Sequence, residues 1–206
     1  MSSVRSSVPD GILAGLMVSI GGTVLLSCEN RVIGSVLFCV ALLAICYFGF
    51  NLYTGKVGFL LRDHSSAAIS STFLGLLGNF LGTLLVGLLI AAALPQLRAA
   101  ALSACESRLL QLPYQTLLRS FFCGVLMYVA VWIYRKKNSV AGIFFCIPVF
   151  VLSGFEHSIA DMFYFSLSGI IFRGKSLFFL LIVVVGNSLG GLLIPALQSL
   201  KGAEEK

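Results

Sequence analysis

Gly154-Phe155-Glu156-His157-Ser158-Ile159-Ala160-Asp161 sets three ionisable side chains inside an apolar run that extends from about Val140 to Phe172. A charge at the centre of a bilayer costs about 2.5–3.5 kcal/mol on insertion scales, so such residues in a spanning segment need a reason to be there. The question the stretch poses is whether the run around it is a membrane segment at all.

Outward from that run, the chain reads as apolar segments separated by short polar joints. They cover about Gly11–Cys28, Val32–Phe50, Ser70–Leu94, Arg119–Tyr134, Val140–Phe172 and Leu177–Leu200. Five of the six are near the roughly 20 residues a spanning helix needs, and the fifth, which holds the polar stretch, is longer. A short stub, Val57–Leu61, follows the second, and a polar stretch, Gln96–Leu118, is expected to be partly helical and interfacial. Composition agrees: 58% of the 206 residues are hydrophobic, 11% are charged, and the mean hydropathy is +1.01. A soluble domain carries about a quarter charged residues. These values exclude a soluble domain of any size and predict an all-α membrane protein, a single transmembrane channel domain over residues 1–206.

The net charge of +6 does not indicate nucleic acid, because the basic residues are scattered between apolar runs and form no basic face. The polar start Met1–Asp10, with no cleavage site after the first apolar run, predicts no signal peptide. With six spans both termini share one side. Placing them in the cytoplasm puts Arg5, Lys56, Arg62, Arg135, Lys136, Lys137, Lys201 and Lys206 inside, eight basic residues against six outside, with the one cluster inside. The six cysteines form no C-x-x-C or Cys/His cluster, so they read as small apolar residues, and no metal or cofactor is expected.

The chain also repeats. Gly78-Asn79-Phe80-Leu81-Gly82 in the third segment matches Gly186-Asn187-Ser188-Leu189-Gly190 in the sixth, 108 residues later. Ala14-Gly15-Leu16-Met17 echoes Cys123-Gly124-Val125-Leu126-Met127 at a similar offset. The second and fifth segments are the two with polar breaks, at Asn51–Lys56 and Gly154–Asp161. Halves of about 11–94 and 116–200, with three spans each, must be inverted relative to one another. Inverted repeats with discontinuous helices at corresponding places bind substrate near the midplane. The Gly-x-x-x-Gly pairs allow close helix packing, within the chain or between subunits.

Irregular backbone at membrane depth is tolerated only in protein or beside a watery cavity. His157 therefore stands out as a pore group, with a donor and an acceptor on one ring. Glu156 is expected to take up orphan backbone N–H groups at its break. Thr54 is the matching polar group in the first half, and Gly55 permits a turn there. Lys56 either concentrates anions at a pore mouth or snorkels to the interface. Glu156, His157, Ser158 and Asp161 superficially suggest a hydrolase, but sequence neighbours do not face one another on a helix, and no enzyme is expected.

These residues resemble the formate/nitrite transporter family. Its motifs are similar to Leu52-Tyr53-Thr54-Gly55 and to Gly154–Met162, and the Gly-Asn-x-x-Gly pieces also fit. The resemblance implies an aquaporin-like fold of six spans with broken second and fifth helices, a homopentamer, and a pore in each protomer. It implies passage of small monovalent anions, formate or nitrite first, then hydrosulfide or lactate, in some members with a proton. By motif position His157 is the central pore histidine and Thr54 the loop threonine facing it. Phe38, Leu42, Leu52, Tyr53 and Phe150 fall at the apolar constrictions, and Gly154 at the break. The chain departs from the family at Lys56 (usually Asn), at Met127-Tyr128 (usually Cys or Ala, then Asn), and at Leu112-Pro113-Tyr114, where a lysine is missing that Lys56 or Arg108 would have to replace. Two other classes carry different signatures: a neutral-solute or water channel would show Asn-Pro-Ala boxes, absent here, and a membrane scaffold would have no continuous pore.

Overall fold

A computed structural model describes residues 6–204 as an all-α protein. Arg5 and Lys206, with the first residues of the Met1–Asp10 start, lie outside the described residues. Ten helices follow in order: α1 (Ser7–Ser27), α2 (Arg31–Leu37), α3 (Cys39–Phe48), α4 (Tyr53–Lys56), α5 (Ser66–Ala93), α6 (Gln96–Leu109), α7 (Pro113–Lys137), α8 (Ala141–Leu152), α9 (Ser158–Ser168) and α10 (Gly174–Glu204). The stub Val57–Leu61 is a 3-10 helix between α4 and α5.

Five stretches are long and apolar enough to cross a bilayer: α1, α2 with α3 (Arg31–Phe48), α5, α7 and α10 up to Leu200. Their outward side chains, such as Leu77, Leu85, Leu88, Phe178 and Leu181, are exposed. Water would penalise so much exposed apolar surface, and lipid does not. The protein is a multi-pass membrane protein. α8 is shorter, 12 residues, or about 18 Å at 1.5 Å per residue.

The helix ends have local causes. Asn30 Oδ1 accepts from the backbone N–H groups of Val32 and Ile33 and starts α2. Ser65 Oγ accepts from Ala68 N and starts α5. Pro113 sits in the first turn of α7, where its missing N–H costs nothing. For that reason the fourth long helix begins six residues ahead of the expected Arg119. The polar stretch before it is ordered as α6, whose buried Leu97, Ala101 and Cys105 recur every fourth residue. That face packs on α9.

Two helix pairs frame the molecule: α1 along α5, and α7 along α10. A Cβ on Gly78 would strike Val8 O and Gly11, and one on Gly186 would strike Ser120 Oγ and Leu117 O. The repeated glycines thus serve packing within the chain. Between the pairs lies α9, all eleven of its residues buried.

Candidate functional site

The chain breaks twice in the same way. Gly49 closes α3 in the left-handed region at φ 74°, and Gly154 follows α8 at φ 69°. Only glycine takes that conformation without steric cost. In each case the next residue ties back to the helix it leaves: Phe50 N donates to Ile45 O, and Phe155 N donates to Phe150 O, both at 3.0 Å. The glycine that turns the first break is therefore Gly49. Gly55, expected there, lies in the helical turn of α4, and a Cβ on it would meet Val131 Cγ2 at 3.3 Å.

An asparagine then clamps each break. Asn79 Oδ1 accepts from Tyr53 N at 2.9 Å, while its Nδ2 donates to Asn51 O and Gly11 O at 2.8 and 2.9 Å. Asn187 Oδ1 accepts from Ser158 N at 2.8 Å, while its Nδ2 donates to Glu156 O and Ser120 O at 2.9 and 2.8 Å. Tyr53 N, Asn51 O, Ser158 N and Glu156 O lie at the breaks, where helix bonding lapses and a dry interior penalises a bare polar group, while Gly11 O and Ser120 O tie each clamp to a neighbouring long helix. The clamps also set a register, with Asn51 matching Glu156 and Leu52 matching His157. Thr54 therefore matches Ile159, not His157 as the sequence pairing had it. The repeated Gly-Asn was visible in the sequence, but its use was not.

Thr54 and His157 nevertheless meet. Thr54 Oγ1 lies 2.8 Å from His157 Nε2, with both residues buried. His157 Nδ1 accepts from Ala160 N at 3.2 Å and caps α9. An acceptor Nδ1 leaves the neutral ring's proton on Nε2, so Nε2–H donates to Thr54 Oγ1. The ring stacks on Phe150 at 5.7 Å.

Two open cavities approach this pair. The larger, about 500 Å³, is bordered by Arg31, Arg108, Arg119, Glu156 and Asp161 and reaches Phe38, Phe150 and His157. The smaller, about 150 Å³, carries Lys56 and Arg135 and reaches Leu42, Ile45 and Leu52. A chamber of only about 10 Å³ lies between, touching the last three residues of each cavity. Phe38, Leu42, Leu52 and Phe150 thus line the chamber. Tyr53 lines none of the three spaces: its hydroxyl meets Ser188 Oγ at 2.7 Å and its ring lies against Phe73. Val18, Ala41 and Ile147, which the sequence did not single out, and Met127, one of the departures from the family pattern, complete the chamber wall. Tyr128 borders none of the three spaces; it packs on Phe59, 5.1 Å between ring centres.

The basic residues sort to two ends. Lys56 and Arg135 share the smaller cavity, and Arg62 reaches Gln198 near the end of α10 at 2.8 Å. Arg31, Arg108 and Arg119 are at the larger. Glu156 does not take backbone N–H groups as expected, since Asn187 and His157 already hold those at the start of α9. Its Oε1 accepts from Gln111 Nε2 at 2.6 Å and its Oε2 from Arg108 Nε at 2.9 Å. The same Nε donates to Asp161 Oδ1 at 3.1 Å. Burial disfavours the guanidinium charge, but Asp161 and Glu156 outweigh it and raise Arg108 above its ordinary range. Arg108 belongs to α6, in the polar stretch between the third and fourth long apolar segments; nothing local marks it as the partner of residues 48 and 53 positions away. Asp161 stands in the first turn of α9, so the break itself is shorter than Gly154–Asp161.

The hydrolase pieces stay apart. Ser158 Oγ has no partner while His157 turns to Thr54. Among the described residues no group of His, Cys, Asp or Glu is placed to hold a metal ion.

Comparison with known proteins agrees with this geometry. A family model described as Formate/nitrite transporter matches residues 2–200. The nitrite transporter NirC of Escherichia coli (strain K12) is 28% identical over 181 residues, covering 82% of this chain and 67% of NirC. NirC of Salmonella typhimurium is 26% identical over the same coverage. Among solved structures, an FNT family ion channel superposes with a TM-score of 0.81 at 23% identity, over 97% of this chain and 89% of that one. A pentameric formate channel with formate bound superposes at 0.80 with 20% identity, over 95% and 96%. The fold is shared with both.

Proposed function

The chain belongs to the formate/nitrite transporter family, and from that premise we propose that it passes small monovalent anions, formate or nitrite first, across a lipid bilayer. It is a transport protein and not an enzyme. The observation that carries the reading is the Thr54–His157 hydrogen bond, set where two basic cavities close on one small apolar chamber.

In this proposal the six crossings form two inverted halves of aquaporin-like plan, the fifth crossing being α8 and α9 joined at the break. The matched asparagine clamps support that arrangement. Both termini lie in the cytoplasm, with Lys56 and Arg135 at the cytoplasmic mouth. Five copies assemble, each with its own pore, as the likeness to a pentameric channel suggests.

An anion collects in either cavity, where fixed cations raise its local concentration. Phe38 and Phe150 on one side, and Leu42 and Leu52 on the other, offer no hydrogen bonds, so a fully hydrated ion is penalised there. His157 Nε2–H supplies the donor that the lost water provided, and the Thr54 hydroxyl, released from the ring, can donate as well. Because Nδ1 caps α9, the ring stays anchored while Nε2 serves the anion.

Flux into proteoliposomes tests this. His157→Phe keeps a ring against Phe150 and deletes the donor; a hydrogen bond to a charged group is worth about 1.5–3 kcal/mol, so formate and nitrite flux should fall about 10–100-fold. Unchanged permeation of formate, nitrite and hydrosulfide would remove His157 from the mechanism.

A further inference from the structure

Glu156, Asp161 and Arg108 leave a charge uncompensated. Two carboxyl groups, 3% and 1% exposed, meet a single guanidinium, and both are bound by the same Nε. Their two bonded oxygens are therefore no further apart than the two bonds laid end to end. Asp161 Oδ2 is buried with no donor facing it. Like charges this close in a dry site do not both ionise. We infer that Glu156 and Asp161 hold one proton between them at the wall of the larger cavity, on Asp161 Oδ2, and that this bound proton lets an anion approach His157.

The surroundings bear on the charge count. α6 supplies Arg108, against both acids, and Cys105, whose thiol burial pushes up to about 12, so it stays neutral. α7 supplies buried Cys123 and, at the cavity, Arg119. α9 itself supplies Tyr164, with Arg108 5.2 Å from its ring centre. The break supplies His157, and the start of α2 supplies Arg31. α1 brings only Leu25 and Leu26 to the cavity, and α5 and α10 bring nothing to it. With one proton on the pair, the Arg108 cluster is neutral and Arg31 and Arg119 leave the cavity positive. Without the proton the cluster carries one negative charge a few ångströms from the path. Anion access should therefore be present at acid and neutral pH and fall as the pair loses its proton in alkali.

Two amide variants test the pair, since Asp161→Asn keeps the oxygen that Arg108 binds and replaces Oδ2 by an amide nitrogen that cannot carry the acid proton. Infrared spectra of the purified protein, with no anion added, read the protonated-carboxyl C=O band directly. Wild type should show the band at neutral pH, and Asp161→Asn and Glu156→Gln should each abolish it, because the remaining acid alone is neutralised by Arg108. No band in wild type, or a band that survives in either variant, overturns the shared proton. The second arm rests on the anion-pore reading: the ratio of wild-type to Asp161→Asn formate flux should fall on the order of tenfold from mildly acid to alkaline pH. A constant ratio overturns the role in access. If neither protein passes formate at any pH, the pore reading fails, and the infrared band still decides whether the proton is held.

Discussion

The two breaks share their backbone and differ in what hangs from it. Each has a left-handed glycine, a return bond to the preceding helix, and an asparagine from the Gly-Asn repeat holding the strand that follows. Beyond that the first break goes on to a four-residue helix and a 3-10 turn, with Lys56 as its only charge. The second goes on to the eleven-residue α9 and carries Glu156, His157 and Asp161. One scaffold, used twice, supplies the irregular backbone. The chemistry was then placed almost wholly on one copy, and the other copy keeps an apolar residue, Leu52, where its twin has the imidazole.

The difference should appear most strongly at the cation that serves the second break. Arg108→Ala leaves two buried acids unpaired and should cost about 3–5 kcal/mol, read as loss of folded protein in detergent thermal unfolding. A near-neutral result would mean that the acids are reached by water or already both protonated. Next come the clamps. Asn79→Ala and Asn187→Ala each strip partners from three backbone groups, and each should cost about 2–4 kcal/mol, by similar amounts in the same assay. If only Asn187→Ala destabilises, the two breaks are alike in shape but not in what holds them. Smaller again, Gly49→Ala and Gly154→Ala each force a Cβ into the left-handed region for about 1–2 kcal/mol. A large excess at one site would show that one turn is locked by packing and the other is not. The smallest effect on stability is Lys56→Asn, within about 0.5 kcal/mol. Its signature is kinetic: formate flux falls several-fold at low salt, and the deficit shrinks at high salt as screening replaces the missing charge.

Much of the scaffold was legible in the sequence, for a physical reason. Apolar runs of spanning length, and glycines four apart, record what lipid and close helix approach demand of local sequence. His157 and Glu156 were legible because a polar residue at membrane depth is costly enough to be conspicuous. Which atoms those residues would meet was not legible. Glu156 was expected on backbone N–H groups and instead accepts from Arg108 and Gln111, because an asparagine from α10 had taken the backbone. Thr54 was expected to face His157 and does, although the clamps align His157 with Leu52 in the repeat. Gly55 looked like the turn because it stands in the polar break, whereas the turn lies at Gly49, at the end of an apolar run, and is closed locally by Phe50 N on Ile45 O. For Glu156 and for the register of the breaks the deciding contacts come from helices far along the chain, and neither periodicity nor composition carries that information.

α8 and α9 also differ in what surrounds them. α8 turns Phe144, Phe145, Val149 and Leu152 outward, while α9 is covered on every side by protein. A bilayer that thins or thickens pulls only on helices that it touches, at a fraction of a kcal/mol per ångström of mismatch. Such a force bears on α8 directly and reaches α9 only through neighbours. A change in membrane thickness is therefore felt first by α8, and among the neighbours that pass it to the imidazole at the head of α9 is Phe150, whose ring stacks on His157.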